Sequence, residues 1–450
     1  MLSRWLLFEN QSKFSSGLSF SGSRTEKWSF EKAVENGHIS MLEHLQFPAY
    51  NAPLSLGVEL ASRNGHLATI KWIEGKLACR GCSWYDLRLK CTALDQACLG
   101  GHLDVVEFLH YKGSPCTSSA FDNASASGNL DLLVWLHENR SEGCTLAAMD
   151  GAAENGHMHV MEWLAQNRTE GCSERALVGT SGNGDLHMVE WVCANYPPDE
   201  GQLLRSLSSA ASYGHLHVVQ FLLETFPDIH DSRLASRCLS LEAAKGGHLN
   251  VLRWLLVNDL LSQDAELMDG AAGASHLHVL EFLHSLNYPS TRCAMDMAAM
   301  EGRLSIVEFL HFNRHEGCTK HAMNLAAMGG HLKVVEFLHQ NRREGCTQNA
   351  MDLASKNGHL ETVKWLHENR GEGCTKKAMN HAAGSGHIDV VQWLSRNRSE
   401  GAGFEAMDQA ATNGHLDVVE WLHVFRSEGP TNLALDGAAA NGHLNVVEWL

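Results

Sequence analysis

The chain has 450 residues, 44% apolar and 19% charged, with a formal net charge of −17. These values fit a soluble chain able to bury a large core, and the acidic balance argues against nucleic acid, whose binders need surplus Lys and Arg to displace counterions from phosphates. No run of about eighteen apolar residues is present to span a bilayer, and thirteen cysteines without an export signal favour reduced thiols over a disulfide framework, which places the chain in the cytoplasm or the nucleus.

The opening MLSRWLLFENQSK carries an apolar patch at 5–8 that is too short for a secretory signal, and residues 1–30 as a whole, Ser/Gly-rich through SKFSSGLSFSGSRTEK, read as a flexible or capping segment. From residue 31 the sequence repeats. Glycines of an NGHL-like turn fall at 37, 65, 101, 128, 156, 184, 214, 247, 302, 330, 358, 386, 414 and 442, with Ser275 in the slot between 247 and 302, so that one unit recurs fifteen times, most steps being 27 or 28 residues and the exceptions 36 (65 to 101), 30 (184 to 214) and 33 (214 to 247). Within it, T-x-x-A-M-D-x-A-A-x-N predicts a short helix begun by a Thr N-cap such as Thr145 or Thr375. The Gly that follows suits the left-handed position past a helix end. A second helix, HLDVVEWLHENR, has apolar residues at offsets 2, 4, 5, 7 and 8 from that Gly, one stripe on a 3.6-residue period. Two such helices cannot offset the roughly 30 to 50 kcal/mol of backbone entropy lost on ordering one unit, so each unit must lean on its neighbours.

AMDLASKNGHLETVKWL (350–366) and DGAAANGHLNVVEWL (436–450) resemble the ankyrin repeat, and the resemblance extends over residues 31–450. It implies an all-α, ankyrin-like α-solenoid of about fifteen stacked helix-turn-helix repeats, here with reduced or absent β-hairpin fingers because the units are shorter than the family's 33 residues. It also implies a structural role for the turn histidines, tying layers together through backbone hydrogen bonds. Where ankyrins carry T-P-L-H, this chain has x-A-M-D, with Asp or Glu in the His slot of ten copies, among them Glu31, Glu59, Asp408 and Asp436, and Val178, Ser208 and Leu241 in three others; a different hydrogen-bond partner between layers is expected.

Several stretches interrupt the period. ACRGCSWYDLRLKCTALDQAC clusters Cys79, Cys82, Cys91 and Cys98 with Trp84 and Tyr85 in an inserted loop; local packing, a contact surface or, less well spaced, a zinc site are the readings. Longer units around NYPPDEGQLL and ETFPDIHDSRLASRC suggest a seam in the array near 195–240. The last repeat stops in mid-helix at Trp449 and Leu450.

The other residues that look chemical recur once per layer. Cysteines at 116, 144, 172, 318, 346 and 374 would be stacked too far apart to pair, since helices pack about 8–10 Å apart and a disulfide needs Cα atoms within about 7 Å. The turn histidines, among them His331, His359 and His387, cannot converge on one zinc for the same reason. The aromatic residue seven after each Gly, such as Trp365 and Trp393, is expected in the core, and Arg/Glu pairs two apart, such as Arg342/Glu344, are expected to be solvated loop charges.

No nucleophile paired with a base, no phosphate-cradling glycine loop and no liganding cluster of sound spacing is present. The expectation is a non-catalytic, cofactor-free protein-interaction scaffold binding on the concave face of the array, or else the recognition arm of a larger protein whose effector domain or further repeats lie beyond residue 450. Contact residues are sought where copies differ: Lys320, His321, Gln348, Asn349, Lys376, Lys377, His381, Phe404 and Glu405, together with Trp84 and Tyr85 of the inserted loop. Residues 301–400 carry 13 Lys and Arg against 11 Asp and Glu, a local balance of +2, so the expected partner is an acidic protein segment, with neither nucleic acid nor membrane.

Overall fold

A computed structural model describes residues 24–44, 51–79, 92–229, 232–426 and 429–450. Among them are thirty α-helices, a 3-10 turn at Pro227–Ile229 and no β-strand. The chain forms two compact units, Met1–Gln202 and Leu203–Leu450.

In Met1–Gln202 the helices alternate between first and second helices of successive repeats, as in Leu146–Glu154 followed by Met158–Asn167. In Leu203–Leu450 the same alternation runs through Lys320–Met328, Leu332–Asn341, Asn349–Lys356, Leu360–Asn369, Lys376–Gly384, Ile388–Asn397, Glu405–Thr412 and Leu416–Phe425. Within each unit a first helix packs most extensively on the first helices of the repeats before and after it, and second helices touch one another far less. The sequence explains the asymmetry. First helices bury alanines such as Ala378, Ala382 and Ala383, which let backbones approach closely, whereas second helices bury Val390, Val391 and Leu394 against their own repeat.

Each first helix starts as its Thr predicts. Thr375 is extended, with φ −111° and ψ 176°, and its Oγ accepts the Lys377 N–H at 3.1 Å. The unexpected feature is what holds the cap. Asp352, one repeat earlier, accepts both the N–H of Thr375 at 2.8 Å and its hydroxyl at 2.7 Å. The same clasp joins Asp150 to Ser173, Asp296 to Thr319 and Asp408 to Thr431. Asn324 replaces the carboxylate with an amide that accepts the Thr347 N–H and donates to its Oγ, both at 2.9 Å. The rewritten Asp slot is thus an interlayer bond, in which one carboxylate reaches a cap hydroxyl and an amide at once. Burial pushes the Asp95 carboxyl up in pKa even though Thr117 bonds oppose the shift.

The turn glycines have positive φ, as at Gly358 with +77°, and the ring of the next repeat's turn histidine lies directly on most of them, Gly101 and Gly156 being exceptions. A Cβ at Gly358 would sit 2.6 Å from Nδ1 of His387. The turn rings also bond back across one layer: Nε2 of His66 is 3.0 Å from the Glu35 carbonyl, and that of His248 is 2.8 Å from the Ser212 carbonyl. These bonds are the layer-tying role that the resemblance implied.

Two expectations need correction. The aromatic row is half-buried rather than core; Trp365 and Trp393 stand at the edge of the apolar stripe, each edge-on to the histidine ending the previous second helix. His339 and Trp365 have ring centroids 5.2 Å apart at 86°, and His367 with Trp393 repeats this at 5.2 Å and 84°. Nor are the Arg/Glu pairs merely solvated. Arg342 pairs with Glu344 at 2.5 Å with only 21% of its side chain exposed, and it reaches back over Gly317 to Cys318 of the preceding repeat. Arg370 does the same over Gly345 and Cys346 and adds a contact of 3.2 Å from Nη1 to Nδ1 of His339. The loop charges therefore bridge layers, because the residues after the Arg fold back instead of projecting a finger.

Candidate partner-binding face

The first helix of a repeat leaves three kinds of position outside the core. The two residues after the Thr cap stand at its N-terminal edge, and the residues four and seven beyond the second of these lie on the same helical face. In Leu203–Leu450 this face reads Cys293, Met297 and Met300 on Arg292–Met300, then His321, Leu325 and Met328, then Asn349, Leu353 and Lys356, then Lys377, His381 and Gly384, the last of them buried, then Glu405, Gln409 and Thr412. Adjacent first helices pack together, so these triplets lie side by side in that order.

The residues singled out from sequence fall on this face or its edge. Lys320, His321, Gln348, Asn349, Lys376, Lys377, Phe404 and Glu405 are exposed, and His381 is half-buried with no hydrogen-bond partner for its Nδ1 among the described residues. Phe404 is 53% exposed, and Glu405 accepts from the Asn380 side chain at 3.3 Å. The edge is positive for two reasons: Arg292, Lys320, Lys376 and Lys377 stand there, and the N-termini of the same helices point to it.

Sequence reasoning missed the middle of the face. Met297, Met300, Leu325, Met328 and Leu353 form an incompletely buried apolar ridge over three repeats, and the Met297 side chain extends across Gly273 of the repeat before. The available signal was contrast between copies. The same slots hold Gly270 and Gly273 upstream, and His381, Gly384, Gln409 and Thr412 downstream. In Met1–Gln202 they hold Asn123 and Ala126, Gly151 and Glu154, and Gly179 and Gly182, so no comparable ridge exists in those repeats.

Trp84, Tyr85, Cys82 and Cys91 lie outside the described residues. Of their proposed companions, Cys79 is exposed, whereas Cys98 is fully buried and its thiol is pushed far up in pKa by burial, which suits a core filler better than a metal ligand. Among the described residues no three His, Cys, Asp or Glu side chains are grouped to hold a metal ion, and no helix is long and apolar enough to cross a membrane. A shallow cleft of about 590 Å³ beside Arg233 and Arg237 is internally balanced, Arg237 pairing with Glu266 at 2.7 Å and Asp264 at 3.5 Å.

Profiles described as ankyrin repeats in three copies match residues 295–377 and 351–429, and one described as ankyrin repeats in many copies matches 207–256. Residues 207–256 and 295–429 thus match ankyrin repeats, and the ridge and basic edge lie within the second of these stretches apart from Arg292. No curated protein matches it. Among solved structures, the crystal structure of the pentatricopeptide repeat protein PPR10 in complex with an 18-nt psaJ RNA element is similar at 10% identity, over 92% of this chain and 70% of that one, with a TM-score of 0.41. The crystal structure of PPR10 from maize is similar at 11% identity, over 96% and 72%, with a TM-score of 0.33. Likenesses this loose carry nothing about what the chain binds.

Proposed function

We propose that the chain is a non-catalytic scaffold of the cytoplasm or nucleus whose first-helix face in Leu203–Leu450 takes an acidic segment of a protein partner. Ankyrin repeats imply protein interaction, and one observation carries the reading further: a recurring buried ladder of Ala, Val and Leu presents exposed positions that change from copy to copy. Lys320, His321, Gln348, Asn349, Lys376, Lys377, His381, Phe404 and Glu405 are the proposed contacts. The net charge of −17 favours a protein over a nucleic-acid partner, because phosphate binding would have to overcome it.

The test is proximity labelling and pull-down with the intact chain and a Lys320→Glu/Lys376→Glu/Lys377→Glu variant, each with and without nuclease. Partners lost in the variant and retained after nuclease support the reading. An unchanged set of captured proteins removes this face from consideration.

A further inference from the structure

We infer that the ridge between Met297 and Leu353 docks an amphipathic, acidic α-helix, a conclusion that rests on the acidic-partner reading and specifies the partner's form. Four observations converge on it. The ridge offers two apolar side chains per layer in its first two layers, Met297 with Met300 and Leu325 with Met328, and one in the third, Leu353. Its N-terminal edge carries Arg292 and Lys320, the next layer continues that edge with Lys376 and Lys377, and at the apolar end stand Lys356 and His381. Methionine dominates the lining of the first two layers, and its unbranched thioether side chain adapts to an incoming surface. On these first helices the exposed acids are Glu301, beside Met300, and Glu405, against Arg292, Lys320, Lys356, Lys376 and Lys377, so the face that an occupant would meet is basic on balance.

Spacing decides between forms of peptide. Packed helices are about 8–10 Å apart, and an α-helix rising about 1.5 Å per residue covers that distance in about five to seven residues. A helix with apolar residues at i, i+3 or i+4, and i+7 therefore brings two apolar side chains to each layer. A β-strand advances about three residues per layer, which turns successive side chains to opposite faces. A polyproline helix keeps one face inward at about 9 Å per turn but supplies one side chain per layer, leaving half the ridge uncovered. The occupant is then a helix of about 20 residues spanning three layers, with carboxylates on the flank that faces Lys320 and Lys377.

Fluorescence anisotropy on the full chain tests this with three labelled synthetic peptides: an amphipathic helix of Leu and Glu in heptads, the same composition with leucines distributed around the helix, and the amphipathic pattern with Lys for Glu. The first is expected to bind and to gain helicity by circular dichroism, with the other two at least tenfold weaker. Leu325→Gln/Met328→Gln is expected to weaken the first peptide at least tenfold while keeping the chain's own helicity and melting; Met297→Gln, at a residue 38% exposed, serves if that double variant unfolds. Equal binding of the two acidic peptides, or no binding by either, overturns the helical inference and leaves the acidic-partner reading to the lysine-reversal pull-down. If that pull-down is unchanged, both fall together.

Discussion

Asp352 and Thr375 are 23 residues apart in sequence and joined by two hydrogen bonds, from the Thr375 N–H at 2.8 Å and its hydroxyl at 2.7 Å. The carboxylate thereby orients the oxygen that caps the next first helix, coupling the start of one repeat to the middle of the previous one. Asp352→Ala should cost about 2 kcal/mol, the range for orphaning a buried hydrogen-bonding group. Thr375→Ala should cost about 1–2 kcal/mol as a lost cap. Because the two changes remove a shared bond, the double variant should be less destabilised than the sum, with a coupling of about 1 kcal/mol by denaturant unfolding. Asp352→Asn should be the mildest, since Asn324 shows that the amide keeps both contacts.

Gly358 and Gly156 make a matched pair for separating backbone strain from crowding. Both have positive φ, +77° and +82°, but a Cβ at Gly358 meets the His387 ring at 2.6 Å, whereas at Gly156 it meets nothing within 4 Å. Gly156→Ala should cost about 1–2 kcal/mol for left-handed strain alone. Gly358→Ala should cost clearly more, and His387→Ala in that background should recover the excess but not the strain. Equal melting temperatures for the two Gly→Ala variants would show that the ring moves aside freely.

Much of this architecture is legible in the sequence, because the turn Gly marks the period and Thr marks each first-helix start. The rest lies between layers. The Asp slot announces a changed bond, yet its acceptor role toward Thr375 requires knowing which helix ends adjoin. Trp365 lies at the margin of an otherwise apolar stripe, where periodicity cannot tell a half-covered side chain from a buried one. Arg342 and Glu344 look like an ordinary exposed pair in sequence, whereas the folded loop lays them back over Cys318. Of the proposed contact face, Lys320 and Lys377 stand out when copies are compared, whereas Met297 and Leu325 disappear into a general apolar count.

Acid should loosen the layers in two steps. Burial lowers the pKa of His276 and His359 from 6.5, outweighing their bonds to the carbonyls of Lys245 and Met328. Their contribution is present above pH 6.5 and declines as pH falls toward the depressed folded values, because the unfolded chain then binds more protons. Glu170 is held at about 2 by the Arg168 guanidinium despite partial burial. At Glu344 burial acts upward but is outweighed by Arg342 and backbone N–H groups, again leaving about 2. These carboxylates stabilise the fold above about pH 4.5, and that contribution disappears as pH falls to 2. Melting temperature followed from pH 7.5 to 2 should decline slightly below 6.5 and steeply below 4.5, and Glu170→Gln/Glu344→Gln should lower it at pH 7 while flattening the second step.

Thiol reactivity should divide the cysteines by layer geometry rather than by sequence context. Cys318 is 3% exposed and its thiol is pushed up to about 12, chiefly by burial, with the Glu344 carboxylate adding to the rise and Arg342 opposing it. Cys346 and Cys374 are raised to about 11 for the same leading reason, while Cys293 is exposed at the edge of the first-helix face. Since the thiolate is the nucleophile, iodoacetamide at pH 8 should modify Cys293 and Cys79 within minutes and leave Cys318, Cys346 and Cys374 intact until denaturant is added, as read by peptide mass spectrometry. Arg342→Ala should open access to Cys318 without affecting Cys374, because the guanidinium covers the thiol of its own preceding layer only. Simultaneous labelling of Cys318 and Cys374 in that variant would mean that the loop clasps open as one cooperative set instead of repeat by repeat.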